Sequence, residues 1–83
     1  MSKKEKLIAR MRQIPKDFTF DELKAAMKVF GYTLDEGRSG SRISFINEET
    51  NRSIILHKPH PGNIMKSYQL QQVIDHLKEV NLL

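Results

Sequence analysis

Cysteine is absent from the chain, which excludes disulfides and thiolate metal ligands. Only three histidines are present, and no carboxylate cluster accompanies them, so the sequence makes a poor metal site and no metal or other cofactor is expected. No apolar run approaches the roughly 20 residues that a membrane-spanning helix requires. The opening Met1-Ser2-Lys3-Lys4-Glu5-Lys6 leads into a charged amphipathic segment rather than a secretory leader, so a cytoplasmic protein without membrane attachment is expected. A length of 83 residues suffices for one compact domain with a modest core and leaves no room for a second folded unit.

The formal net charge of +4 is unevenly spread. Lys3, Lys4, Lys6, Arg10, Arg12 and Lys16 against Glu5 give the first sixteen residues about +5, and the remainder about −1. Residues 1–16 are therefore read as a basic N-terminal helical extension and residues 17–83 as the domain proper. Such an arm can contact nucleic acid, although lysines on the wet side of a helix more often only solvate it. A second, smaller basic excess runs through Arg38, Arg42, Arg52, Lys58 and Lys66, interrupted by Glu48 and Glu49.

Hydrophobic spacing sets the elements. Leu7, Ile8, Met11 and Ile14 recur at helical intervals, and Pro15 closes that helix. Thr19 followed three residues later by Glu22 is a capping-box start, with Phe18 and Leu23 placed to form a hydrophobic staple. Leu23, Ala26, Met27 and Phe30 form one apolar stripe, and Gly31 supplies the left-handed residue that stops the helix. Strands are predicted over 32–35, 41–47 and 52–57, the first two joined by the turn Gly37-Arg38-Ser39-Gly40. A last helix carries Leu70, Val73, Ile74 and Leu77 on its inner side.

The last two strands are close enough in sequence to be an antiparallel hairpin, and its register follows from burial. Ile43 and Phe45 meet apolar partners when Phe45 faces Ile54 and Ile43 faces Leu56. That register pairs Ser44 with Ile55 and Arg42 with His57, and turns Arg42 and His57 away from the helices. A bland reading exists for both: Arg42 solubilises an exposed face and His57 merely ends a strand.

The connection His57-Lys58-Pro59-His60-Pro61-Gly62-Asn63 crowds two histidines, a lysine and two prolines between strand and helix. Prolines restrict the backbone on either side of His60, making a stiff mount for a side chain whose type exchanges protons near neutrality. The same tetrapeptide is also an ordinary chain turn. Tyr68, near the start of the last helix, points either at this loop region or into solvent, and an exposed tyrosine on a helix start is the preferred reading.

Leaving the first helix aside, the order helix, three antiparallel strands, helix, with both helices on one face, is an α+β fold of the double-stranded-RNA-binding-domain type. A helix ending in Phe30-Gly31-Tyr32, then Gly40-Ser41 opening a strand that contains Phe45, then a Pro59-His60 loop and a closing helix, resembles the HicA toxins of bacterial toxin-antitoxin pairs. The resemblance runs from Phe18 onward. It implies this sheet-and-two-helix fold, metal-independent cleavage of messenger RNA, and neutralisation by a HicB-type antitoxin that covers the active site. The family pattern reads Gly-Ser-His where this chain has Gly40-Ser41-Arg42, so the histidine usually assigned to cleavage is an arginine here.

Metal-free RNA cleavage needs a base, an acid and positive charge for the phosphate. Arg42 suits only the last role, because a guanidinium does not trade protons at neutral pH. The proton work is therefore assigned to His60 and His57, and phosphate binding to Arg42, Lys58, Arg38, Lys66 and Ser41. Competing readings are a non-catalytic module that grips A-form RNA through phosphates and 2′-hydroxyls, and an inactive relative that still pairs with an antitoxin.

Overall fold

The computed structural model describes residues 2–36, 40–60 and 62–83. Its elements are α1 (Lys3–Arg12), α2 (Phe20–Val29), β1 (Thr33–Asp35), β2 (Arg42–Asn47), β3 (Arg52–His57) and α3 (Ser67–Glu79). The strands form one antiparallel sheet in the order β1-β2-β3, and the α+β architecture matches the double-stranded-RNA-binding-domain-like arrangement expected from the sequence. α2 packs on β1 and α3 on β3, while α1 lies against both α2 and α3. No described helix is long and apolar enough to cross a membrane.

The hairpin register is the one that burial demands. Arg42 pairs with His57, Ile43 with Leu56, Ser44 with Ile55 and Phe45 with Ile54. Ile43, Phe45, Ile54 and Leu56 are buried, whereas Arg42, Ile55 and His57 are exposed. Buried Asn47 ends β2 and shapes the turn, its side-chain oxygen accepting from the Glu49 and Thr50 N–H groups and its Nδ2 donating to the Phe30 carbonyl. The hairpin turn is thereby tied to the end of α2, where Gly31 adopts a φ of 88°.

α2 begins with the capping box predicted from Thr19 and Glu22: Thr19 Oγ1 accepts from the Glu22 N–H at 3.1 Å, and Glu22 accepts from the Thr19 N–H at 3.0 Å. Phe18 and Leu23 flank this cap, both fully buried. Arg10 reaches from α1 to the same cap, with Nε 3.0 Å from a Glu22 oxygen, a terminal nitrogen 3.0 Å from Asp17, and its guanidinium over the Phe18 ring. Hydrogen bonding to Arg10, with the Thr19 N–H adding to it, holds the Glu22 carboxyl below the usual carboxylate range.

Residues 1–16 are basic on their wet side and also supply core. Met11 is completely buried, and Leu7 and Ile14 pack against the same cluster. α1 ends two residues earlier than its apolar stripe suggests. Ile14 lies beyond the helix at a φ of 51°, a left-handed conformation that bends the chain toward α2 and is unfavourable for a β-branched residue.

Two stability measurements check these contacts. Met11→Ala is expected to cost about 2–5 kcal/mol in denaturant unfolding, the range for truncating a fully buried long side chain. A carboxylate whose pKa is depressed on folding stabilises above its unfolded pKa and loses that contribution as pH falls through the folded value. Glu22→Gln is therefore expected to lower stability at pH 7 by no more than about 1 kcal/mol, since both partners stay partly exposed. Comparing the two proteins in acid should show that deficit disappearing.

Candidate functional site

The site begins with the sheet ladder. The Lys58 N–H donates to the Ser41 carbonyl at 2.7 Å, one step beyond the last residues of the β2–β3 hairpin. In an antiparallel ladder, hydrogen-bonded and non-hydrogen-bonded pairs alternate, so the adjacent Arg42–His57 pair is of the non-hydrogen-bonded kind. Such pairs bring their Cα atoms to about 4.5 Å, with side chains closer than in hydrogen-bonded pairs. The cation and the imidazole thus rise together from the outer sheet face at its edge.

Beyond His57 the chain leaves the sheet and returns to α3 through a connection that is anchored at both ends. The Gln69 side chain donates to the His57 carbonyl at 2.8 Å and accepts from the Lys66 N–H at 3.0 Å. Gln69 is one of two buried polar or charged residues among those described, and both its bonds hold the ends of this connection. Further anchors come from the start of α2: the Phe20 N–H donates to the Asn63 carbonyl, the Met65 N–H donates to the Phe18 carbonyl, and Met65 is buried. Between these anchors His60 is exposed.

Ser41, His57, Lys58, Pro59, His60, Lys66, Tyr68 and Gln69 line one open cleft of about 410 Å³. Five residues singled out in the sequence, Ser41, His57, Lys58, His60 and Lys66, therefore meet at one place. Arg42 is not in the lining but stands beside it through its pairing with His57. Arg38 lies outside the described residues, with its neighbours Gly37 and Ser39.

The cations of the site are not equivalent. Lys58 Nζ is 2.8 Å from a Glu36 carboxylate oxygen, and hydrogen bonding to this ammonium pulls the Glu36 carboxyl below its ordinary range. Arg42 and Lys66 have no ion pair among the described residues. The third histidine belongs elsewhere: His76 Nε2 is 2.7 Å from the Tyr32 hydroxyl, the rings meet edge to face, and burial pushes its imidazole below the usual range. Among the described residues no three His, Cys, Asp or Glu side chains gather in a way that could hold a metal ion.

Three members of the site were missed or left to solvent in the sequence reading. Tyr68 is exposed as expected, yet it lines the cleft. Glu36 gives no local signal, because its partner is far along the chain. Gln69 carries a weak one, a glutamine at the third position of a helix, which is where a side chain can reach back to the cap N–H.

Chemically, the cleft offers two imidazoles able to take up and release a proton, cations on both sides, and a hydroxyl from Ser41. Comparison with curated proteins and with solved structures returns no match. The family model described as the HicA toxin of bacterial toxin-antitoxin matches residues 20–82, which takes in every element after α1 and every residue of the cleft. This chain belongs to the HicA toxin family.

Proposed function

We propose that the cleft between the β2–β3 edge and α3 cleaves messenger RNA without a metal, and that a HicB-type antitoxin neutralises the protein by covering it. The observation that carries this reading is the convergence of His57 and His60 with Lys66 and Ser41, beside the outward-facing Arg42. One imidazole takes the proton of a ribose 2′-hydroxyl as its oxygen attacks the adjacent phosphorus. The bond from phosphorus to the 5′-oxygen breaks, and the other imidazole gives that oxygen a proton. The products are a 2′,3′-cyclic phosphate and a 5′-hydroxyl. Arg42 and Lys66 offset the charge that builds on the phosphoryl oxygens.

The family's usual histidine position is occupied by Arg42, and in this account the proton chemistry has moved one strand over, to His57, while the arginine keeps the phosphate. Messenger RNA as substrate makes the cytoplasm the place of action. The same substitution also favours a second reading, a relative that binds RNA or the antitoxin without cutting.

Two tests follow. Induced expression of the wild-type protein in a bacterial host should arrest growth and create new 5′ ends in cellular messenger RNAs. His57→Ala and His60→Ala should each remove both effects from a folded protein, with cleavage by the purified variants down by about a hundredfold or more. Full activity in both variants, or a folded wild-type protein that produces no new ends, sinks the cleavage reading. The second test concerns Glu36, which competes with phosphate for Lys58: Glu36→Gln should tighten RNA binding, most visibly at low salt, where exposed charges are least screened. Unchanged affinity would mean that Lys58 does not face the RNA.

A further inference from the structure

The chain has two tyrosines, and the structure uses them in opposite ways. Tyr32 is 2% exposed and its hydroxyl is hydrogen-bonded to His76. Among the described residues Tyr68, at 65% exposed, is the most open of the large hydrophobic side chains, and its hydroxyl has no hydrogen-bond partner there. Core packing does not explain a tyrosine in that state. Its position does suggest a use, because Tyr68 lines the cleft together with His57, His60 and Lys66. Of the four large apolar side chains that are exposed among the described residues, Val29, Ile55, Ile64 and Tyr68, only Tyr68 is in that lining.

We propose that Tyr68 is a stacking platform for an unpaired nucleobase, so that the cleft takes single-stranded RNA and excludes the paired helix. This rests on the reading of the cleft as an RNA site and adds to it the form of RNA that is bound. A planar ring beside cations offers both things that a nucleotide presents, a π-face for the base and positive charge for its phosphate. Lys66, two residues before Tyr68, supplies the charge at the same helix start. Inside a duplex both faces of a base are covered by its neighbours, so stacking on Tyr68 requires a base with a free face. Grip on A-form RNA by shape works through phosphates and 2′-hydroxyls instead and has no need of an aromatic ring. Because every base has a π-face, this subsite tolerates sequence.

The experiment measures binding of a fluorescent single strand of about 12 nucleotides, 2′-O-methylated throughout so that it cannot be cut, to the full chain. The same strand as a duplex and a version with abasic positions serve as comparisons. Tyr68→Ala should weaken binding of the single strand about tenfold or more, and Tyr68→Phe should stay within about twofold of the unsubstituted protein. The penalty of Tyr68→Ala should vanish on the abasic strand, and thermal melting should show each variant folded. The inference is overturned if Tyr68→Ala binds as tightly as the unsubstituted protein, or if Tyr68→Phe loses as much as alanine. Duplex binding as tight as single-strand binding overturns it too. Cleavage of unmodified RNA, assayed separately, keeps the two readings apart. A protein that cuts RNA but ignores the loss of Tyr68 refutes stacking alone, and one that binds through Tyr68 without cutting refutes cleavage alone.

Discussion

Burial of Ile43 and Phe45 opposite Leu56 and Ile54 is the constraint on which the rest of the molecule depends. Side chains in a strand alternate with a period of two, so a slip of one residue in this hairpin would turn one strand over on the other, carrying either Arg42 or His57 into the core and exposing two apolar side chains. Hydrophobic packing thus places a cation and an imidazole side by side on the open face without spending any polar interaction to do it. The same register puts the Lys58 N–H on the Ser41 carbonyl, which brings Ser41 to the wall of the cleft.

A second layer of control lies in the connection from β3 to α3. Gln69 holds the His57 carbonyl and the Lys66 N–H, while the Phe18 and Asn63 backbone groups fasten the far side to the start of α2. The start of α2 is itself fixed by the Thr19–Glu22 box, on which Arg10 closes from α1. A chain of contacts therefore runs from the N-terminal helix through a helix cap to the loop that carries His60. The arginine that charge counting would assign to a nucleic-acid arm is committed to that chain, leaving Lys3, Lys4 and Lys6 as the exposed cations of the first two turns.

What the sequence discloses and what it hides divide along physical lines. The capping box, the helix stop at Gly31 and the hairpin register were legible because each depends on residues a few positions apart, or on a two-residue period that burial enforces. The cleft was legible in its parts, since Ser41, His57, Lys58, His60 and Lys66 all line it. Partners distant along the chain were not. An amphipathic stripe shows that α1 has an inner side but not that Met11 enters the common core, and nothing near Glu36 announces Lys58. Tyr68 was read correctly as exposed, and only the fold reveals that its surroundings are the cleft.

In the proposed reaction imidazoles, not a metal ion, move the protons when RNA is cut. The chemistry of the new ends tests it most directly: purified protein is incubated with a single-stranded RNA in excess chelator, and both termini of each product are identified. Cleavage should persist in chelator and leave 2′,3′-cyclic phosphates and 5′-hydroxyls. Products with 5′-phosphates and 3′-hydroxyls, formed only when a divalent cation is restored, would contradict it.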